Sequence, residues 1–251
     1  MNLLRTAREF VRQLSYRLGA TPRTRPNQTG SLADRFGGIY ARGDWAVGGA
    51  DVPLSGTGST LAATDRVRAE LPALLKQLGV GTLLDIGCGD FTWMRTLDLP
   101  CDYIGVDIVS EIIAANTAAF GSDRRSFAVV DAVAGPVPRA DAVLIREVLF
   151  HLSFADARAL LRNVAASGCE WMMLTSDRGT GFNADIISGG ARLLNLEIKP
   201  FRFGEPVHTI EEPGSYKDRR IGVWRAATIA AALGAPVGVG GKLIAGRPGS
   251  R

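Results

Sequence analysis

The chain has 251 residues, 46% of them hydrophobic and 22% charged, which is the composition of an ordinary folded domain rather than a disordered chain. Residues 1–30 hold six arginines and one acid, and residues 234–251 hold three basic residues and no acid. This leaves 20 of the 29 basic and 24 of the 25 acidic residues for 31–233. We therefore expect no basic groove and no nucleic-acid partner.

The three cysteines, Cys88, Cys101 and Cys169, have neither the even number of a disulfide framework nor the paired spacing of a zinc site. We expect a cytoplasmic protein without a bound metal. Arginines interrupt every apolar stretch near the N-terminus, so no signal peptide is predicted. The longest uncharged run, 226–241, is shorter than the ~20 residues that a membrane span needs.

Residues 3–18 place leucines, Phe10 and Val11 at helical spacing with arginines between them, which predicts a basic amphipathic helix. Two interpretations of this helix stay open: it covers the domain, or it contacts a membrane surface or a partner. We expect residues 1–30 to form an arm and linker, 31–233 the folded domain, and 234–251 a flexible glycine-rich tail.

A glycine-rich loop at 55–60 comes next, and Thr64 is placed to cap a helix that runs to Leu78. Short apolar strands then alternate with helical segments, which predicts βαβ units and a parallel sheet. Strands are predicted at 82–86, 103–106, 127–130, 142–145, 171–175, 199–203 and 221–227, and helices after the first strand, from Ser110 and from Phe154. The predicted fold is a doubly wound, mostly parallel, Rossmann-like α/β sheet of seven strands with helices on both faces.

The strongest motif is the strand that ends in Gly87-Cys88-Gly89, with Asp85 inside the strand and Asp90 after the turn. Two glycines let the chain turn sharply and let a ligand approach the backbone closely. Twenty residues after Gly87 the next strand ends in Asp107, where a carboxylate can accept hydrogen bonds from both hydroxyls of a ribose. The pattern predicts a nucleoside site.

A dinucleotide would also suit a glycine pair and a distant acid. However, Thr92 stands where the dinucleotide fingerprint has its third glycine, and Asp85 would repel a pyrophosphate. A carboxylate is instead favourable beside the ammonium group of a bound amino acid. The charges favour S-adenosylmethionine over a nicotinamide cofactor.

This segment resembles motif I of the class I S-adenosylmethionine-dependent methyltransferases, and the similarity extends over 64–175. The resemblance implies S-adenosylmethionine as cofactor, S-adenosylhomocysteine as product, and a ribose-binding acid at Asp107. It also implies that the acid after the third strand, Asp131, lies by the adenine. The cofactor-binding residues predicted on these grounds are Asp85, Gly87, Cys88, Gly89, Asp90, Asp107, Ile108, Asp131, Ala132 and Arg146. Two of them keep alternatives: Asp90 as a helix cap and Arg146 as half of a structural ion pair.

A narrower similarity, to a bacterial branch of that family, is carried by Trp45, by the Ser-Gly-Thr-Gly-Ser loop at 55–59, by 89–94 and by the Asn-Ala-Asp-Ile segment at 183–186. We expect Trp45, Ser55, Ser59 and Trp93 to contact the acceptor, although tryptophans at such positions are also typical of a core.

The predicted reaction is direct attack of an acceptor atom on the sulfonium methyl group, with alignment and desolvation as the main sources of rate. The acceptor is expected to be a small molecule or glycan. The methylated group is expected to be a hydroxyl of a glycan, a glycolipid or a secondary metabolite. His151 is the candidate general base and Glu147 its competitor. The alternatives are an NAD(P)-dependent oxidoreductase and a non-catalytic cofactor-binding protein on the same fold.

Overall fold

The computed structural model describes residues 29–46, 52–212 and 218–235. The predicted N-terminal helix at 3–18 and the predicted tail at 234–251, apart from its first two residues, lie outside them, so both stay predictions.

One sheet of seven strands organises the described residues. The strands are β1 (Thr82–Ile86), β2 (Asp102–Asp107), β3 (Arg125–Val129), β4 (Ala142–Ile145), β5 (Trp171–Asp177), β6 (His208–Glu211) and β7 (Arg219–Arg225). Their order is β3-β2-β1-β4-β5-β7-β6. Strands β1 to β5 are parallel, and β7 pairs antiparallel with both β5 and β6. The predicted mostly parallel, seven-stranded sheet is confirmed.

Among the residues that the structure describes, five α-helices accompany the sheet: α1 (Leu32–Arg42), α2 (Asp65–Gln77), α3 (Ser110–Phe120), α4 (Phe154–Ala166) and α5 (Ala226–Leu233). Helix α1 begins with a capping box, because the Ser31 hydroxyl accepts from the Asp34 backbone N–H and the Asp34 carboxylate accepts from the Ser31 N–H. Within the described ranges, no helix is both long and apolar enough to cross a bilayer.

The core lies on both faces of the sheet, as a doubly wound fold requires. Because side chains alternate along a strand, Leu84 of β1 faces a cluster with α4 and α5, whereas its neighbour Leu83 faces a cluster with α2. Each cluster includes residues from several strands, for example Val143 in the first and Leu144 in the second. Helices thus cover both faces, as predicted.

The predicted strand at 199–203 is wrong. Pro200 has no N–H to donate to a ladder, the N–H groups of Phe201 and Arg202 both donate to the Ile198 carbonyl, and Arg202 has a φ of 57°. The segment is a turn that buries Phe201 and Phe203 against the core. The strand that completes the sheet is β6, which begins at His208.

The helix predicted after the first strand is also absent, since residues 87–101 contain only a 3₁₀ turn at Met94–Thr96. Phe91 has a φ of 59°, which a helix does not allow, and its buried ring packs against Tyr103, Phe120 and Phe127. An aromatic cluster takes the place of the helix. Thr64 does precede α2, but its hydroxyl donates to the Thr60 carbonyl and does not cap the helix.

Candidate active site

A cavity opens at the carboxyl ends of β1, β2 and β4, where ligands bind in open α/β sheets. It is closed on the other side by α1 and by the loop at 52–60. Every predicted site residue borders this cavity except Gly89 and Asp90. Those that border it are Trp45, Ser55, Ser59, Asp85, Gly87, Cys88, Trp93, Asp107, Ile108, Asp131, Ala132, Arg146, Glu147 and His151.

The glycine turn after β1 forms the floor of the cavity. The N–H groups of Gly87 and Cys88 both donate to the Val106 carbonyl, at 2.8 and 3.1 Å, which bends the chain across the end of β2. Gly87 has a φ of 73°, and a β-carbon there would overlap the Val148 side chain. Gly89 has a φ of 56°, and a β-carbon there would overlap the Ser55 hydroxyl. Both positions therefore need glycine.

Asp107 is buried beside this turn and stabilises it. Its Oδ2 accepts from the Gly89 N–H at 3.2 Å and its Oδ1 accepts from the Val109 N–H at 3.1 Å. Burial raises the pKa of its carboxyl, while these backbone donors oppose the rise. Each carboxylate oxygen has further lone pairs, and the residue borders the cavity, so it can also accept hydrogen bonds from a ligand.

Asp85 lies next to Asp107 at the end of β1. Burial raises the pKa of its carboxyl to about 7; the hydrogen bond from Tyr103 and the charge of Arg146 oppose the rise, and the charge of Asp107 adds to it. The Tyr103 hydroxyl donates to Oδ2 at 2.8 Å. A cationic ligand group in the cavity would favour the ionised carboxylate.

Asp90 connects the glycine turn to the Ser-Gly-Thr-Gly-Ser loop. Its N–H donates to the Ser55 hydroxyl at 2.9 Å, and its Oδ2 accepts from the Ser55 N–H at 3.3 Å. Its Oδ1 accepts from the Thr92 N–H, and no α-helix begins there, so the alternative role of helix cap is wrong. The structure places Asp90 behind the cavity wall, where it holds Ser55 at the edge of the cavity.

The other predicted cofactor residues lie at the ends of β2 and β3. Asp131 Oδ1 accepts from the N–H groups of Val133 and Ala134, which fixes the turn after β3. The Ala132 carbonyl accepts from the Asn163 amide of α4. Ile108 and the turn around Asp131 form one end of the cavity.

Arg146 and Glu147 follow β4 and belong to a buried ion-pair network. Arg146 donates to Glu212 from Nε at 2.8 Å and to the Gly58 carbonyl from Nη2 at 2.9 Å. Glu147 Oε1 accepts from Arg219 Nη1 at 2.9 Å, and Arg219 also pairs with Asp177. Arg146 is thus in a structural ion pair, one of its two predicted roles.

The charges of the network keep Glu147 ionised. Burial alone would raise the pKa of this carboxyl, but Arg146 and Arg219 outweigh burial and lower it. Its φ of 58° is unusual for a residue with a side chain, and its carboxylate fills the space where a β-carbon of Gly58 would lie. Strained backbone of this kind is concentrated at functional sites.

His151 ends the short 3₁₀ turn that follows β4. Its Nδ1 lies 2.7 Å from the Gly190 carbonyl, which can only accept, so Nδ1 carries the proton and Nε2 has a lone pair. Burial lowers the pKa of the imidazole to about 4, although the Gly190 hydrogen bond and Glu147 oppose the fall. The ring is therefore neutral at pH 7.

The two tryptophans occupy different surroundings. The Trp45 ring packs against the His151 ring at 4.8 Å between centroids, with Tyr40 edge-on at 5.3 Å. Trp93 is buried in the core with the Arg146 guanidinium over its ring at 5.4 Å. Trp45 therefore lies beside the candidate base, whereas Trp93 borders the cavity beside Arg146.

Several residues of the site carry no signal in the sequence. Tyr40 donates from its hydroxyl to the Ser55 hydroxyl above the glycine turn, and Asn116 donates to the Gly89 carbonyl at 2.7 Å. Glu212, Arg219 and Gly190 come from the last third of the chain. A tyrosine in a helix or an arginine at the start of a strand is ordinary, so only the fold brings them to the cavity.

Comparisons with known proteins agree with this geometry. Residues 84–167 match the sequence model of a family described as a methyltransferase domain. No curated protein matches the chain.

Three solved structures illustrate the likeness of fold. Magnesium protoporphyrin IX methyltransferase from Synechocystis PCC 6803 with bound SAM is 16% identical, with a TM-score of 0.55 over 82% of this chain and 99% of that one. The N-methyltransferase NodS from Bradyrhizobium japonicum WM9 with S-adenosyl-l-homocysteine is 16% identical, with a TM-score of 0.52 over 74% and 97%. Human N-acetylserotonin methyltransferase with SAM is 14% identical, with a TM-score of 0.52 over 88% and 67%. Residues 84–167 are thus similar to a methyltransferase domain, and the described residues share the fold of these three methyltransferases, which were solved with SAM or S-adenosyl-l-homocysteine.

Proposed function

We propose that this protein transfers the methyl group of S-adenosylmethionine to a hydroxyl of a neutral small molecule, with His151 as general base. The observation that carries the proposal is the pair of buried carboxylates, Asp85 and Asp107, on either side of a glycine turn that borders the cavity. Two buried acids at this turn suit a ligand with a ribose and cationic centres.

The residues present fit this cofactor. Asp107 would accept from the ribose hydroxyls, Ile108 and the turn at Asp131 would enclose the adenine, and Asp85 would face the ammonium end. Gly87 and Cys88 both border the cavity, and Gly87 has no side chain, so a ligand can approach the backbone of the turn there. When bound, S-adenosylmethionine supplies a methyl group that is already activated on sulfur.

The structure weakens the oxidoreductase alternative. A dinucleotide places its pyrophosphate at the N-terminus of the helix that follows the first strand. Between β1 and β2 the chain has only the 3₁₀ turn Met94–Thr96, so the backbone N–H groups of a helix start are not available for phosphate. The Asp85 carboxylate would also repel the pyrophosphate of a dinucleotide.

His151 suits the role of general base better than Glu147. The imidazole is neutral, its Nδ1–H is engaged by Gly190, and its Nε2 has no hydrogen-bond partner among the described residues. Glu147 is held by Arg219 and Arg146, and these charges make it a weak base. We propose that Glu147 instead fixes the wall of the cavity at Gly58.

Of the acceptors considered, a hydroxyl of a planar secondary metabolite fits best. Near His151 the cavity is bordered by Leu32, Phe36, Trp45 and Leu152, which are apolar. Among the charged groups close to His151, Glu147 and Arg219 pair with each other, so these two offer little to an ionised or heavily hydroxylated acceptor. We further propose that the acceptor meets the protein in the cytoplasm.

The test uses S-adenosylmethionine with a deuterated methyl group, incubated with the protein and a panel of phenols, simple alcohols and sugars. Mass spectrometry reads transfer of the label. We expect labelled phenols, and we expect His151→Asn to lower the rate at least tenfold while the matched variant His208→Asn does not. Absence of label from every acceptor class would leave the non-catalytic alternative. An unchanged rate in His151→Asn would remove its role as a base.

A further inference from the structure

Residues 185–192, between β5 and β6, contain no helix or strand and pack along the segment that carries His151. We call these residues the clasp. The Gly189 N–H donates to the His151 carbonyl at 2.9 Å, and the Gly190 carbonyl accepts from His151 Nδ1 at 2.7 Å. The Arg192 N–H donates to the Phe150 carbonyl at 3.2 Å. The clasp therefore binds both the backbone and the ring of His151.

Side chains attach the clasp to the N-terminus of α4. The Ser153 N–H donates to the Ser188 hydroxyl at 2.7 Å, and the Phe154 N–H donates to Asp185 Oδ1 at 2.7 Å. The Ser188 hydroxyl in turn donates to the Asp156 carboxylate of α4. Ser188 is buried, so this contact is shielded from water. One residue, Gly189, separates the anchored Ser188 from Gly190.

We propose that Ser188 and Asp156 are positioning residues that fix the clasp. The Gly190 carbonyl then holds His151 in the Nδ1–H tautomer, and Nε2 is free to take the proton from the hydroxyl that becomes methylated. The inference rests on the proposed function of His151 as base. Neutral imidazole exchanges between two tautomers, and only a fixed acceptor at Nδ1 selects one of them. A loosened clasp would let the Nε2–H form appear, which cannot act as a base at Nε2.

The charged groups around the ring shift its pKa. Glu147 raises the pKa of His151, whereas Arg219 and Arg192 lower it, and burial lowers it most. These groups act on the net charge of the ring. The hydrogen bond at Nδ1 is the contact that distinguishes its two nitrogens.

The chain has two histidines, so ¹⁵N NMR of the imidazoles can follow His151 directly, with His208→Asn to assign its signals. At pH 7 we expect the unaltered protein to show protonated Nδ1 and unprotonated Nε2. In Ser188→Ala we expect the Nε2–H population to rise several-fold, and in Asp156→Asn to rise less. The matched control is Ser167→Ala at the other end of α4, whose hydroxyl donates to Val164 and should leave the tautomer unchanged.

An unchanged tautomer in a folded Ser188→Ala or Asp156→Asn protein would overturn the proposal, as would an Nε2–H tautomer in the unaltered protein. Thermal unfolding shows whether each variant is folded. If Ser188→Ala does not fold, Asp156→Asn provides the test, because it keeps the side-chain volume. Titration with S-adenosylhomocysteine is independent of this readout. A variant that shows a changed tautomer but binds S-adenosylhomocysteine normally therefore has an altered clasp and an intact cofactor site.

Discussion

Asp107 both accepts from the turn and borders the cavity, so its substitution affects the turn and the predicted cofactor site together. In Asp107→Asn the amide keeps one acceptor oxygen but loses the second, and we expect S-adenosylhomocysteine to bind at least tenfold more weakly, about 1.4 kcal/mol. The control is Asp102→Asn on the same strand, an exposed carboxylate paired with Arg124. Calorimetric titration measures both. Equal affinity in Asp107→Asn and Asp102→Asn would contradict the assignment.

Asp85 makes stability depend on pH. Its pKa is raised to about 7 in the folded protein, so its contribution is complete below about pH 4 and is lost as the pH rises through 7. The loss is at most about 4 kcal/mol. We expect Asp85→Asn to flatten this decline. Urea unfolding at pH 5 and pH 8 checks it, and an identical pH dependence in both proteins would show that Asp85 is not the cause.

Strand β7 brings the ion-pair network to the cavity, because Arg219 at its start pairs with Asp177 of β5 and with Glu147. Removing one partner leaves buried charges without compensation. We expect Arg219→Met to lower the free energy of unfolding by about 3–5 kcal/mol. Arg225, at the other end of the same strand, pairs with Glu170 on the surface, so Arg225→Met should cost at most about 1 kcal/mol. Denaturant unfolding measures the free energy of unfolding of both variants. Equal losses in Arg219→Met and Arg225→Met would show that the buried ion-pair network does not stabilise the fold more than a surface pair does.

The elements that the sequence predicts correctly are those with local signals. Strands β1 and β4 have the predicted bounds, because each is a short and mostly apolar run that both faces of a sheet can bury. The helix after β1 was predicted from the usual alternation, yet Phe91 prefers the aromatic cluster that forms with Tyr103 and Phe127. The turn at 199–203 likewise follows from tertiary packing of Phe201 and Phe203, which the local pattern does not contain.

At the scale of the whole molecule, the cavity joins residues that are far apart in the sequence. The carboxyl ends of parallel strands meet at one edge, so Asp85, Asp107 and His151 could be placed together before the structure. Tyr40 and Gly190 could not, because their roles depend on how α1 and the clasp pack across that edge. The acceptor side of the cavity is therefore a product of tertiary structure.

We expect the cavity at the glycine turn to bind S-adenosylmethionine or its product. The decisive measurement is calorimetric titration of the full chain with S-adenosylhomocysteine, beside a titration with NAD under the same conditions. We predict saturable one-to-one binding of S-adenosylhomocysteine and no heat of binding with NAD. Binding of NAD with none of S-adenosylhomocysteine would contradict the claim.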